Sequence, residues 1–288
     1  TLKAGGLVRG RTGLNISQLI AKSAQILSQA GIDSAENDSR ELICHQLDIS
    51  KSDLAMLEIK AAEVAEKDQN QIDQLVLRRS SRTPLQHLTG KSYFRNLELE
   101  VGPGVFIPRP ETETLVEIAL SLKLPEQSSF EVGAGSGAIS ISLSQEGGFH
   151  ATAIEVSTES CEWAAKNISR YGEAVELIEA DYGSYAPTRL YGLLISNPPY
   201  IPSDAVPKDP EVHLYDPEQA LYSGTDGLDL IRQLALSKHF LHPGGALVFE
   251  HDESQRDQIV QLLLKEGWRE ITSFQDLNGR DRFIQAVA

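Results

Sequence analysis

From Pro110 to the C-terminus, short apolar runs alternate with helical stretches, and few architectures accommodate that rhythm. "SSFEVGAG", "ATAIEV", "AVELIEA", "GLLISN" and "GALVFE" are each long enough for one buried strand. "AISISLSQE" and "STESCEWAAKNISRYG" lie between them with helical character, and "ESQRDQIVQLLLKEG" is a clear amphipathic helix. "REITSFQDL" and "RFIQAVA" close the chain as strands. Strands alternating with helices predict an open, mostly parallel α/β sheet for residues 110–288. Such sheets take ligands at the carboxyl ends of their strands, near the point where the strand order reverses.

Residues 14–82 have a different texture. In "NISQLIAKSAQILSQAGI", Ile16, Leu19, Ile20, Ala24, Ile26 and Leu27 recur at roughly helical spacing, and Gly31 supplies a stop. "SAENDSRELICHQLDIS" repeats the pattern through Leu42, Ile43 and Leu47. "AAEVAEKDQNQIDQLVLRRSSR" predicts a third, more polar helix, so a small helical bundle is expected. Residues 83–109 are rich in glycine and proline. There "YFRNLELEV" alternates like a strand and Gly102-Pro103-Gly104 predicts a turn into "VFI", which makes a β-hairpin connector. Between Arg78 and Arg109, six basic residues (Arg78, Arg79, Arg82, Lys91, Arg95, Arg109) face two acidic ones, Glu98 and Glu100. This patch reads either as a solvated linker or as a surface turned to a partner.

The whole chain, by contrast, carries 26 basic and 41 acidic residues, a formal net charge of −15 over 288 residues. Bare nucleic acid repels such a chain unless basic residues cluster. Cys44 and Cys161 are the two cysteines, far apart in sequence, which fits reduced thiols rather than a disulfide framework or a zinc site. No metal is expected. No run approaches the roughly 18 apolar residues of a membrane span. Residues 1–13, "TLKAGGLVRGRTG", lack the apolar core of a signal peptide and read as a disordered tail or an appended segment. A cytoplasmic protein without membrane contact is expected.

Four places along residues 110–288 carry groups suited to chemistry. In "FEVGAGSGAIS", Gly133, Gly135 and Gly137 leave a strand and enter a helix, where the backbone can approach a ligand closely. The spacing is Gly-x-Gly-x-Gly and no Lys-Ser/Thr follows, which weakens a dinucleotide or phosphate-loop reading. A tight structural turn is the plain alternative. Glu131 sits at the strand end, placed to meet a positive ligand group. Glu155 ends the next strand; an acid about 20 positions after a glycine turn suits a ribose diol. Asp181 and the adjacent Tyr182 follow the third strand. They fit an adenine held by hydrogen bonding and stacking, and equally an ordinary turn. Lastly, "ISNPPYIPSD" stops an apolar strand with Asn197-Pro198-Pro199-Tyr200. The prolines donate no N–H and fix φ, so they offer carbonyl oxygens in a rigid turn. Asn197 adds an amide oxygen and Tyr200 an aromatic face. The set suits a small planar group bearing NH₂, an amide or an exocyclic amine.

The glycine loop, the ribose acid and Asn-Pro-Pro-Tyr together resemble the class I S-adenosylmethionine-dependent amino-methyltransferases. The chain resembles more closely the release factor glutamine methyltransferases, the HemK/PrmC group, from Arg82 to the C-terminus. The marks are "RTPLQHLTG", "VFIPRPETE", "EVGAGSGAI", "SNPPYIP", "DPEQALYSGTDGLDL" and "DLNGRDRF". The resemblance implies a Rossmann-like α/β fold with a seven-stranded sheet and a small N-terminal helical bundle. It implies S-adenosyl-L-methionine as cofactor, converted to S-adenosyl-L-homocysteine. Glu131 and the run Gly133, Ala134, Gly135, Ser136 and Gly137 would hold its methionine part, Glu155 its ribose, and Asp181 and Tyr182 its adenine. Asn197, Pro198, Pro199 and Tyr200 would hold the target glutamine, in this family that of the Gly-Gly-Gln loop of class I release factors, with Asn197 also bordering the cofactor. Glu131 stands where an aspartate is commoner, Tyr182 where Trp occurs, and Ser223 where a glycine is frequent; none of these removes a group the chemistry needs.

An amide nitrogen is a poor nucleophile, and methyl transfer from a sulfonium is an in-line displacement, so positioning dominates. The expected arrangement has the Asn197 side-chain oxygen and the Pro198 carbonyl accepting the two substrate N–H bonds, with Tyr200 packed on the amide plane. No dedicated strong base stands out. His251, in "FEHDES", reads as a proton acceptor or, more simply, as a strand-end histidine. Two rivals remain: an adenine-N6 or cytosine-N4 nucleic-acid methyltransferase, and a cofactor-binding scaffold without turnover. The charge of −15 opposes the first, which must neutralise phosphates and flip a base. The amide cradle opposes the second. A monomer acting on release factors, with no direct nucleic-acid contact, is expected, and the helical region is expected to contact the substrate protein.

Overall fold

The computed structural model describes residues 13–172 and 174–288, which divide into two units meeting between Gly90 and Lys91. Apart from Gly13, the expected tail lies outside the described residues. The first unit holds α1 (Ile16–Gln29), α2 (Ala35–Leu47), α3 (Lys51–Ile59), α4 (Glu66–Ser80) and α5 (Leu85–Thr89). Leu19, Leu27, Leu42, Ile43, Ile72 and Val76 form its core, as the helical spacing predicts. Arg79 Nε donates to Asp38 Oδ2 at 2.7 Å inside the bundle, a buried pair in which either charge alone would be costly. Helix α3 departs from the three-helix expectation. It buries only Leu54, so its apolar pattern is silent, but Ser50 and Asp53 form a reciprocal capping box that starts it.

The second unit opens with the antiparallel hairpin β1 (Lys91–Phe94) and β2 (Leu97–Glu100). The hairpin is tighter than the sequence pattern indicates: "YFRNLELE" folds as two strands around Arg95-Asn96, and Gly102–Ile107 forms no strand. Arg95 adopts φ 51°, rare for a side-chain-bearing residue, and tertiary bonds hold it there. Its N–H donates to Glu113 Oε1 at 2.8 Å, and its guanidinium donates to both Glu146 oxygens at 2.7 Å. Five of the six basic residues of the patch are accordingly tied down. Arg79 pairs with Asp38, Arg82 donates to the Ala30 and Gly31 carbonyls, Lys91 pairs with Glu98, Arg95 with Glu146, and Arg109 with Asp216.

A 3-10 turn at Pro110–Thr112 leads into α6 (Glu113–Ser121). Then follow β3 (Ser128–Val132), α7 (Ala138–Gly147), β4 (His150–Glu155), α8 (Thr158–Tyr171), β5 (Val175–Glu179) and β6 (Tyr191–Ser196). Three short helices come next, α9 (Pro210–Tyr215), α10 (Glu218–Leu221) and α11 (Asp229–Leu236). The chain closes with β7 (Leu241–Glu250), α12 (Arg256–Lys265), β8 (Arg269–Gln275) and β9 (Asp281–Val287). The seven strands order as β5-β4-β3-β6-β7-β9-β8, parallel through β7, with β9 antiparallel to both neighbours. Strands β3 and β6 are buried along their whole length, as central parallel strands covered on both faces are. Alternate residues of β6 serve two apolar layers: Leu194 packs with Phe130 and Phe249 on one side, Leu193 and Ile195 with Val248 on the other. The chain runs outward from β3 to β5 and then returns to β6 on the opposite side of β3. The switch point therefore lies between β3 and β6.

Candidate active site

The carboxyl ends of β3, β4, β5 and β6 open onto one cavity of about 310 Å³. Gly133 and Gly135 form part of its floor, with φ of 77° and 53°, and a Cβ at either would meet no atom within 4 Å. The loop thus adopts a backbone that favours glycine and leaves open space beside it. The Gly133 and Ala134 N–H groups donate to the Ile154 carbonyl at 2.9 and 3.1 Å, tying the loop to β4. Ala134, Ser136 and Gly137 lie behind the lining rather than on it. A Cβ on Gly137 would meet Ile141 and Ile168, and the Ser136 carbonyl accepts from Asn167 Nδ2 at 3.0 Å. These three shape the turn from its inner side.

Glu155 lines the cavity with its carboxylate fixed by three backbone donors: Gly135 N–H at 2.9 Å, Val156 N–H at 2.8 Å and Ser157 N–H at 3.0 Å. The same carboxylate therefore locks the glycine loop. Asp181 lines the cavity, is exposed, and caps the turn through Gly183 N–H. Tyr182 also lines it, but its hydroxyl donates to Ser237 Oγ and its ring is set against Phe130 and Phe240. Burial pushes the Tyr182 hydroxyl up to about 12. Tyr182 is thus a fixed wall. Glu131 is fully buried beneath the loop and does not line the cavity. Its Oε2 accepts from the Ser140 N–H at 2.9 Å and from the Ser140 hydroxyl, whereas its Oε1 has no protein partner. Burial pushes this carboxyl up to about 8, against the pull of the Ser140 hydrogen bonds.

Asn197, Pro198, Pro199 and Tyr200 line the same cavity from the end of β6. Asn197 Nδ2 donates to Thr112 Oγ1 at 3.1 Å, and Thr112 Oγ1 donates to Glu250 Oε2 at 2.8 Å. The Tyr200 hydroxyl donates to Glu250 Oε1 at 3.1 Å and accepts from Arg282 at 2.7 Å. Gln255 Nε2 donates to the Tyr200 carbonyl at 3.0 Å. At Gly227, φ is 75° and a Cβ would come within 2.2 Å of that same carbonyl. Beside this turn, Arg109 donates to the buried Asp216 at 2.6 Å, joining "VFIPRPETE" to "DPEQALYSGTDGLDL". Burial pushes the Asp216 carboxyl up to about 6, even with Arg109 beside it. His251 is fully buried, its Nδ1–H donates to the Asp252 carbonyl at 2.8 Å, and it does not line the cavity. Thr112, Glu250 and Arg282 escape sequence reasoning, although each sits inside a quoted segment: "VFIPRPETE", "FEHDES" and "DLNGRDRF".

Residues 103–210 match the methyltransferase small domain family, and residues 18–90 match the PrmC N-terminal domain family. Among solved structures, a methyltransferase from Pyrococcus furiosus superimposes with a TM-score of 0.51 at 18% identity, covering 75% of this chain and 96% of that one. The human Mettl16 catalytic domain, solved with a MAT2A 3′UTR hairpin, gives 0.53 at 13% identity, covering 78% and 84%. The sheet order and the family match make this chain a Rossmann-like methyltransferase. A release factor glutamine methyltransferase from Streptomyces coelicolor is 39% identical over 93% of this chain and 96% of its own length. Another from Bifidobacterium longum is 35% identical over 95% and 99%. The chain belongs to the release factor glutamine methyltransferase family.

Proposed function

We propose that the protein transfers a methyl group from S-adenosyl-L-methionine to the side-chain amide nitrogen of the glutamine in the Gly-Gly-Gln motif of class I peptide chain release factors. The observation that carries this reading is the Asn197-Pro198-Pro199-Tyr200 turn opening onto the same cavity as the Gly133 and Gly135 cradle. The donor set fits the cofactor. Open space beside the two glycines suits a closely approaching chain, and Glu155 keeps a rigid carboxylate at the cavity edge for two ribose hydroxyls. Glu131 supplies an unpartnered carboxyl oxygen beneath the loop, suited to a cationic group above it. When bound, the cofactor supplies an electrophilic methyl group on a sulfonium.

The chain's own residues do the positioning. The Asn197 Oδ1 and the Pro198 carbonyl accept the two N–H bonds of the substrate amide and favour the positive charge that develops on its nitrogen. Tyr200 packs on the amide plane, with its hydroxyl tied back to Glu250. Apolar lining from Val132, Ile154 and Ala180 excludes water from the cofactor side. Asp181 serves the adenine amine, and Tyr182 forms the wall beside it. Residues 14–82 contribute release-factor contacts, and the protein acts as a cytoplasmic monomer. Among the described residues, no helix is long and apolar enough to cross a membrane. The test is a labelled-methyl assay offering a release factor, plasmid DNA and tRNA in parallel. Incorporation into the Gly-Gly-Gln glutamine is expected; incorporation into nucleic acid alone overturns the reading.

A further inference from the structure

The hydrogen-bond inventory around Asn197 fixes more than its position. Glu250 ends β7 fully buried, and Arg282 on the adjacent β9 donates to its Oε1 at 3.0 Å. Burial raises the Glu250 carboxyl above its usual range, against the pull of the Arg282 guanidinium and of the Thr112 and Tyr200 hydroxyls. The geometry decides its role: ion-paired to Arg282 and faced by two hydroxyl donors, Glu250 stands as a carboxylate, which only accepts. The Thr112 hydroxyl, 2.8 Å from Oε2, therefore gives its single proton to Glu250. What Thr112 Oγ1 has left are lone pairs, and 3.1 Å away lies the Asn197 amide. Only an N–H of that amide can face a lone pair. The two orientations of an asparagine amide have the same shape, so the donor inventory decides between them. Nδ2 faces Thr112, and Oδ1 is left to the cavity that Asn197 lines.

We propose that Thr112, Glu250 and Arg282 are positioning residues that hold the Asn197 amide oxygen toward the substrate, an inference that rests on the amide-methylating reading above. None of the three lines the cavity, so they act through Asn197 and Tyr200. With the amide reversed, Asn197 would point a donor at a substrate N–H, and the substrate nitrogen would lose both its anchor and its charge stabilisation.

The experiment measures kcat and KM with a Gly-Gly-Gln release factor, calorimetric Kd for S-adenosyl-L-homocysteine, and Tm. Thr112→Val removes the acceptor for Asn197 while keeping the shape; kcat is expected to fall about 100-fold, with Kd changed less than about twofold. Thr112→Ser restores the relay and should recover most of the rate. Glu250→Gln is expected to reverse the relay. Its carbonyl stays with Arg282, its NH₂ donates to Thr112, and the Thr112 proton turns to Asn197. This variant should also lose about 100-fold in kcat. Adding Asn197→Asp to it should recover at least about tenfold, because a carboxylate accepts from Thr112 and still offers an oxygen to the substrate. Asn197→Asp alone should be slower than that double variant. Equal rates for Thr112→Val and the parent protein, equal losses in Thr112→Val and Thr112→Ser, or a double variant no faster than Glu250→Gln would each overturn the relay. If Glu250→Gln does not fold, the Thr112 pair decides. A parent protein that methylates only DNA or tRNA overturns the functional reading instead, and the same variants then rank the relay on that acceptor.

Discussion

The cavity has two halves built in opposite ways. The cradle half comes from one continuous stretch, Gly133 to Asp181, and is held by backbone: three main-chain N–H groups on Glu155 and two on the Ile154 carbonyl. The Asn197 half is a chain of side chains, Thr112, Asn197, Tyr200, Glu250 and Arg282, drawn together from four distant segments by β6, β7 and β9. A backbone-held site tolerates many side-chain changes and breaks mainly at its glycines and at the carboxylate that locks them, Glu155. A side-chain relay breaks at any single member, because each hydroxyl has only one proton to place.

The sharpest break between the halves is expected from Asn197→Ala. Steady-state kinetics should show kcat lower by roughly 10²–10³, while calorimetry finds Kd for S-adenosyl-L-homocysteine within about threefold of the parent. The mirror experiment is Glu155→Ala. Losing the loop N–H bonds and the charge-assisted bonds proposed to a ribose should weaken cofactor binding about 100-fold, with kcat at saturating cofactor within about tenfold. If both substitutions hit both constants equally, the two halves act as one unit. Gly227→Ala probes the scaffold under the second half. Its Cβ would press on the Tyr200 carbonyl at 2.2 Å in a backbone with φ 75°, and urea unfolding should register a loss of about 2–4 kcal/mol.

The two halves were also unequally legible in the sequence. Strand–helix alternation, the glycine turn and an acid ending the next strand are local signals, and β3, α7, β4 and α8 fall on the runs that carry them. Asn197-Pro198-Pro199-Tyr200 was legible for the same reason, since rigid carbonyls beside an amide are a local property. The partners of Asn197 and Tyr200 were not, because sheet order, not sequence distance, brings Thr112, Glu250 and Arg282 to them. The hairpin shows the same limit at smaller scale. "YFRNLELEV" reads as one alternating strand until Glu113 and Glu146, both remote, hold Arg95 in its left-handed turn. Helix α3 is the opposite case: its signal, Ser50 and Asp53, was local but lay outside the apolar pattern.

The smallest effect tests whether the cradle half senses charge. Glu131 is held at about 8 by burial, so near neutrality its carboxyl is mostly protonated. A cationic ligand favours the ionised form, and below about pH 8 binding must expel that proton, so affinity should rise with pH. From about pH 6.5 to pH 8.5 the cofactor Kd is expected to tighten by about three- to tenfold, and calorimetry in buffers of different ionisation enthalpy should detect the released proton. Glu131→Gln should flatten the profile by removing the titrating group, leaving only the ligand's own contribution. The same group bears on folding with the opposite sign. Its folded pKa of about 8 exceeds the ordinary 4.5, so its stabilising contribution is complete below 4.5 and is lost as pH rises through about 8. Glu131→Gln should accordingly raise Tm more at about pH 9 than at about pH 5. Identical Kd profiles for the parent and Glu131→Gln, together with that Tm pattern, would assign the unpartnered Glu131 oxygen to the fold alone and leave the cofactor to the cavity-lining carboxylates, Glu155 and Asp181.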